Sequence, residues 1–235
     1  MPYLFSASQR RARIQRAQLM LIFTPELVEN PMAALQQVIE LVDVIQVRPK
    51  GLGANSQEPS IAHDCLHWSR EVLKALKPLG QARPLVLVND RVDVAKTLMH
   101  DGLDGVHLGQ EDTPWLVARD LLGPDPLIGL STHSYDQVRK TDGTSLDYLG
   151  FGPVFSTSTK GLTASNNSVS AWVAHRSTSL PLFPIGGITP SNAWQLTPVG
   201  RAAVASSLLC SPAPEKAAQE LKRAMTARGV EKRRR

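Results

Sequence analysis

Eight short apolar runs, rich in β-branched residues, alternate along this chain with eight segments of helical period, and that alternation restricts the fold more than any other feature. The runs are Leu19 to Phe23, Val44 to Val47, Leu85 to Val88, Gly105 to His107, Leu127 to Leu130, Tyr148 to Phe151, Leu182 to Ile185 and Ala202 to Ala205. The helix-period segments are Met32 to Leu41, Ile61 to Leu76, Val92 to Met99, Thr113 to Leu122, Tyr135 to Lys140, Val169 to His175, Pro190 to Leu196 and Pro214 to Met225. Most strand starts lie about 20 to 25 residues apart, the length of one βα unit with short loops. Strict alternation predicts a parallel sheet, and eight units predict a single α/β domain, a closed (β/α)8 TIM barrel. The expected layout is a basic N-terminal tail over 1–18, the barrel over 19–226 and a basic C-terminal tail over 227–235.

Two strand-to-strand intervals are long. Their extra residues, Gly51 to Ser60 and Ser156 to Ser168, fall in loops on the face where barrels of this kind keep their sites, and they read as lids over a ligand.

The net charge of +5 belongs to the ends of the chain. Residues 1 to 18 hold four Arg and no acid, and residues 216 to 235 hold eight Lys or Arg against two Glu; positions 19 to 215 keep 14 basic and 19 acidic residues, a net −5. No basic face with interleaved aromatics is visible in the body, so the reading is no nucleic-acid partner. The Arg-rich start reads as a frayed tail rather than an organelle transit segment. Cys65 and Cys210 are too few for a disulfide framework or a thiolate metal site, which points to a reducing, cytoplasmic setting. No run approaches the roughly 20 apolar residues that span a bilayer, so no membrane partner is expected. A homo-oligomer is left open.

The chemistry is concentrated at strand ends. Gln46-Val47-Arg48-Pro49-Lys50-Gly51 places two cations on alternate residues behind a buried strand, which suits a polyanion. Taken alone, that hexapeptide is read as well by a solvated surface pair. Four further strand ends are equally polar: Val88-Asn89-Asp90, His107-Leu108-Gly109-Gln110-Glu111-Asp112, Thr157-Ser158-Thr159-Lys160 and Ile185-Gly186-Gly187. Asp90 and Asp112 come from adjacent strands and offer hard oxygen ligands with no Cys or paired His nearby, a set that suits Mg2+. For either Asp alone, capping the following helix serves as well. Together with Arg48 and Lys50 they make a mixed-charge site of the kind Mg2+-pyrophosphate requires. Gly186-Gly187 after the seventh strand and Ser206-Ser207 after the eighth match the phosphate cup of barrel enzymes, a second anion site distinct from that of Arg48, Lys50 and Lys160. Ser131-Thr132-His133 lacks an acidic orienter, so Ser131 reads as a hydrogen-bond donor to ligand rather than a nucleophile. His107 reads as a packed, hydrogen-bonded core histidine, and His63, His67, His100 and His175 as surface or satisfied residues.

Over roughly residues 19 to 210 these motifs, in this order, resemble the thiamine-phosphate synthase family. The resemblance rests on Gln46-x-Arg48-x-Lys50, Val88-Asn89-Asp90-Arg91, His107 to Asp112, Gly152-Pro153 with Thr157-x-Thr159-Lys160, and Ile185-Gly186-Gly187-Ile188. It implies a Mg2+-dependent transferase that joins hydroxymethylpyrimidine pyrophosphate to hydroxyethylthiazole phosphate, giving thiamine phosphate and pyrophosphate. It also implies roles: Gln46, Arg48, Lys50, Asn89, Ser131 and Lys160 for the pyrimidine pyrophosphate, Asp90 and Asp112 for the metal, and Thr157, Thr159, Gly187, Ser206 and Ser207 for the thiazole phosphate. The chain departs from the family pattern at Gly200-Arg201-Ala202-Ala203, where Gly-Ala-Asp-Gly is usual, and at Ser206-Ser207-Leu208, where Val/Ile-Ser is commoner. Two other readings compete: a thiazole tautomerase-like paralogue, for which His133 after the fifth strand would matter, and a non-catalytic barrel that binds a thiamine precursor.

Overall fold

The computed structural model describes residues 4–50, 58–156 and 167–226. Its strands are β1 (Leu19–Phe23), β2 (Val44–Val47), β3 (Leu85–Asn89), β4 (Gly105–Leu108), β5 (Leu127–Thr132), β6 (Tyr148–Phe151), β7 (Leu182–Pro184) and β8 (Ala202–Val204). The helices are α1 (Ala7–Arg16), α2 (Pro31–Gln36), α3 (Glu58–Leu76), α4 (Val92–Leu98), α5 (Trp115–Leu122), α6 (Tyr135–Arg139), α7 (Ser168–His175), α8 (Ser206–Leu209) and α9 (Pro214–Thr226). All eight strands are parallel, in the order β7-β6-β5-β4-β3-β2-β1-β8, and a bridge between Ile185 and Ala203 brings the two ends together. The (β/α)8 barrel is therefore observed, with strand limits within two residues of those read from the sequence. The seventh helical segment is a single 3-10 turn at Ala193–Leu196.

Strand side chains alternate, and the alternation sorts them into two cores. Met20, Ile22, Val44, Leu85, Leu87, Leu127, Tyr148, Phe183 and Ala203 fill the barrel; Leu19, Leu21, Ile45, Val86, Val88, Val106, Ile128 and Leu149 face outward against the helices.

Residues expected to fray do not. Ala7–Arg16 is a helix whose N-cap Ser6 and third helical residue Gln9 form a reciprocal capping box, an arrangement that satisfies two otherwise orphaned amides. Phe5, Ile14 and Ala17 are buried with the barrel interior and close its N-terminal end. The cations that read as a solvated tail are partners for carboxylates inside that end. Arg10 Nε lies 3.1 Å from Asp104 Oδ1, both side chains fully buried, and Arg11 Nε lies 2.9 Å from Asp147 Oδ1. The N-terminal tail of the sequence reading is thus corrected to a plug, because its arginines have acidic partners far along the chain that local composition does not reveal. The C-terminal tail, 227–235, falls outside the described residues.

Those carboxylates follow a rule. Asp43, Asp104 and Asp147 each stand directly before an even-numbered strand, and each exchanges two hydrogen bonds with one residue at the start of the preceding strand. The main-chain amides of Asp43, Asp104 and Asp147 donate to the carbonyls of Leu19, Val86 and Ile128 at 2.8–2.9 Å. The amides of Leu19, Val86 and Ile128 return the bond to the carboxylates at 2.9, 2.8 and 2.8 Å. Cations complete each site: Lys222 on Asp43, Arg83 with Arg10 on Asp104, and Arg119 with Arg11 on Asp147. Before β8 the position is Arg201, whose guanidinium donates to the Gln15 carbonyl at the end of α1 and lies 5.9 Å from the Phe183 ring.

Asp104→Ala should be among the most damaging single changes, since it strands two buried guanidinium groups; the expected loss is roughly 3–5 kcal/mol. For a domain of this size that lowers Tm by on the order of 10 °C, read by calorimetry. Lys222→Ala, at the half-exposed Asp43 pair, should cost less than about 1 kcal/mol. Both cysteines are free, Cys65 buried and Cys210 exposed, and burial pushes the Cys65 thiol up to about 12. A thiol reagent should accordingly titrate one group per native chain and two after unfolding.

Candidate active site

A cavity of about 540 Å3 opens at the C-terminal ends of the strands. Gln46, Arg48, Asn89, Asp90, Asp112, Ser131, Gly187, Ser206 and Ser207 all line it, so nine residues drawn from six strand ends of the sequence reading meet in one place. Thr157, Thr159 and Lys160 lie outside the described residues, as do most of the two segments read as lids.

The side facing β2, β3 and β4 is polar and charged. Gln46 is buried on β2 and donates through Nε2 to Asn89 Oδ1 at 2.5 Å, which orients both amides. Arg48 follows on the same face, its main-chain amide donating to Phe23 O at 2.8 Å. β2 ends at Val47 and Pro49 follows, so the period-two argument does not carry Lys50 into the cavity. Lys50 is exposed, its amide held by Glu26 at 2.9 Å, and it is not part of the lining.

Asp90 has φ +64°, the one non-glycine residue with positive φ among those described. A left-handed Asp costs on the order of 1 kcal/mol and persists where surrounding structure holds it, typically at functional sites. Here the Asp90 amide donates to His107 O at 2.7 Å and the Arg91 amide to Asn89 O at 2.8 Å. Asp90 therefore does not cap α4, whose N-cap is Arg91 without a side-chain bond. Asp112 does not cap α5 either: Pro114 holds that position, and Asp112 Oδ2 instead accepts the Gly109 amide at 2.6 Å, closing a tight turn. Neither capping role is realised. Among the described residues no three His, Cys, Asp or Glu side chains gather into a metal cage.

Across the barrel axis, the ends of β7 and β8 provide backbone and hydroxyls. Gly186 and Gly187 have φ +100° and +62°, and a Cβ on Gly187 would stand 2.4 Å from Ser156 O. A side chain there would collide with the neighbouring backbone in a conformation that L residues rarely adopt, so this turn requires glycine. Asn192 steadies the turn, accepting the Thr189 amide at 2.9 Å and donating to Gly187 O at 2.8 Å. Ser207 Oγ is buried without a hydrogen-bond partner among the described residues, which is unusual for a hydroxyl unless a ligand supplies the partner.

The floor contains residues that the sequence reading did not assign to the site. His107 is buried and hydrogen-bonded, as read, yet it also lines the cavity, with Nδ1 2.7 Å from the Tyr148 hydroxyl and Nε2 2.9 Å from Ser131 Oγ. Thr24, at the end of β1, lines it too. His133 directs Nδ1 at the Gly152 carbonyl, 2.7 Å away; a carbonyl only accepts, so the proton is on Nδ1. Period two from β4 and β5 was the available signal for His107, because His107 and Ser131 share the inward face of neighbouring strands.

Residues 19–208 match the model of the thiamine monophosphate synthase family. The chain belongs to that family. It is 40% identical over 211 residues to a thiamine-phosphate synthase of Synechococcus sp. strain CC9605, covering 87% of this chain and 54% of the relative. It is 37% identical over 194 residues to one of Mycobacterium sp. strain KMS, covering 80% of this chain and 82% of the relative. The chain thus spans little more than half the length of the cyanobacterial relatives. A solved structure, thiamine phosphate pyrophosphorylase from Pyrococcus furiosus, superposes with a TM-score of 0.72 at 26% identity, covering 92% of this chain and 96% of that one.

Asp90→Asn should leave Tm within about 2 °C, since Asn tolerates the left-handed conformation as well as Asp does. It should still remove the carboxylate that faces the cavity. Asp90→Val should lower Tm by several degrees, because a β-branched residue resists that φ. Thermal denaturation of the pair separates backbone strain from charge.

Proposed function

We propose that this chain is a thiamine-phosphate synthase, joining 4-amino-2-methyl-5-hydroxymethylpyrimidine pyrophosphate to hydroxyethylthiazole phosphate with release of pyrophosphate. The observation that carries this reading is one cavity lined by two dissimilar polar groups on opposite sides, each suited to an anion. Arg48, Asp90 and Asp112 gather beside β2 to β4, and Gly187, Ser206 and Ser207 beside β7 and β8. A condensation of two phosphorylated substrates needs that division. The family and the relatives named above support the same assignment.

In this reading Gln46 and Asn89, locked to each other, and Ser131 hold the pyrimidine, while Arg48, with Lys50 at the rim and Lys160, neutralises its pyrophosphate. The glycine amides and serine hydroxyls hold the thiazole phosphate with Thr157 and Thr159. The C–O bond of the pyrimidine methylene breaks with its electron pair leaving on pyrophosphate, and the thiazole nitrogen forms the new C–N bond to that methylene. No strong base is required; the chain contributes positioning, charge stabilisation of the leaving group and exclusion of water. Asp90 and Asp112 fit a hard divalent cation whose other ligands are phosphate oxygens and water, the mode in which Mg2+ binds with few protein ligands. Bound there, Mg2+ would stabilise the departing pyrophosphate charge. Among the described residues, no helix is long and apolar enough to cross a membrane.

Purified protein supplied with both precursors and Mg2+ should form thiamine phosphate, detected chromatographically, and no product would refute the assignment. Turnover should saturate with Mg2+ and vanish in EDTA, whereas full activity in EDTA would remove the metal from the scheme. Asp112→Asn should reduce turnover by at least about tenfold with an unchanged Tm, because a turn residue at a strand end supports little of the core.

A further inference from the structure

Three polar groups form a chain across the cavity floor: the Tyr148 hydroxyl, the His107 ring and the Ser131 hydroxyl, joined by contacts of 2.7 and 2.9 Å. Two glycines make room for it. A Cβ on Gly129 would fall 2.1 Å from Tyr148 Cζ, and one on Gly150 would fall 3.3 Å from His107 Cε1. The rings are further held by stacking of His107 on Tyr148, with centroids 5.4 Å apart, and by an edge contact of Tyr148 with Phe183 at 5.9 Å. Such a chain can be oriented in two ways. In one, Tyr148 donates to Nδ1, Nε2–H donates to Ser131 Oγ, and the Ser131 proton is directed elsewhere. In the other, Ser131 donates to Nε2, Nδ1–H donates to Tyr148, and the Tyr148 proton must find another acceptor.

The two differ in where the spare proton goes. Tyr148 is 0% exposed and belongs to the apolar cluster that fills the barrel, and among the described residues its hydroxyl has His107 Nδ1 as its hydrogen-bond partner. A buried hydroxyl that loses its acceptor is penalised by the full cost of desolvation. Ionisation offers no escape, since burial, and then Asp147, hold the phenol well above its ordinary value. Tyr148 and Ser131 both border the cavity, but Tyr148 admits no solvent whereas Ser131 is only partly buried, so the Ser131 proton can reach water or a ligand. Only the first orientation leaves every buried proton paired.

We propose that Tyr148 and His107 act as positioning residues that hold Ser131 as a hydrogen-bond donor toward the cavity, so that this wall selects a ligand presenting an acceptor, such as the ring nitrogen of a heteroaromatic. Identification of that acceptor with the pyrimidine substrate rests on the function proposed above; the proton arrangement does not.

Two measurements test the proposal separately. In 15N-labelled wild-type protein, with His107 assigned by its absence in His107→Gln, long-range 15N–1H correlation at neutral pH should show the proton on Nε2. A proton on Nδ1 would overturn the arrangement whatever reaction the protein performs. Kinetically, Tyr148→Phe, which keeps the ring opposite Gly129, and Ser131→Ala should each raise KM for the pyrimidine pyrophosphate by about tenfold, with KM for the thiazole phosphate unchanged. Their double variant should be no worse than Ser131→Ala. Additive losses, or equal effects on both substrates, would show that Tyr148 acts through packing and refute the positioning role.

Discussion

The reciprocal hydrogen bonds of Asp43, Asp104 and Asp147 set the height of the strands, and the composition of the cavity follows from that height. Each carboxylate locks the start of an even strand to one residue of the odd strand before it. Three residues further along both strands of each pair come Ile22 with Gln46, Asn89 with His107, and Ser131 with Gly150, which are register partners in the sheet. All six line the cavity. Since side chains alternate with period two, a slip of one residue at any anchor would exchange a cavity residue for one facing the helices. The buried ion pairs at the closed end are thus best understood as register devices, a role for which buried charge is better suited than for net stability.

The helix Ala7–Arg16 makes those devices complete. Arg10 and Arg11 bring cations to two of the three carboxylates, and Phe5 fills the space beneath them, with the guanidinium carbons of Arg13 and Arg83 at 4.4 and 4.8 Å from its ring centroid. A chain segment whose composition suggests a solvated appendage is part of the same charge network that aligns the site at the opposite end of the barrel.

The architecture was legible because period and spacing are local properties: eight apolar runs at βα intervals leave few alternatives. The site was legible for the same reason, since barrel topology brings strand ends together, and Gln46, Arg48, Asn89, Asp90, Asp112, Ser131 and Gly187 could be gathered without knowing a single distance. What stayed hidden depends on contacts between residues distant in sequence. Arg10 finds Asp104 across 94 positions, and no pattern in residues 1 to 18 announces it, although the Ser6-x-x-Gln9 capping box was a usable sign of a helix. His107 was read correctly as buried and bonded, but its partners Tyr148 and Ser131 lie on other strands, so its place on the cavity floor could be inferred only from shared facing. Lys50 stands outside the cavity lining because Pro49 ends the strand whose alternation was being extrapolated.

The barrel has a weak seam. Ile185 turns its amide toward β6, to Phe151 O at 2.9 Å, so the neighbouring residue Pro184 faces β8, and it has no amide hydrogen to give. Arg201 occupies the place where the other even strands carry their anchoring carboxylate. Between β7 and β8 there remains the Ile185–Ala203 bridge. The glycine loop after β7 and the serines after β8 stand at the top of that same seam, one on each side. A phosphate gripped by both would act as a clasp, supplying from the ligand the cross-strand tie that the polypeptide lacks and making closure of the barrel partly a consequence of occupancy.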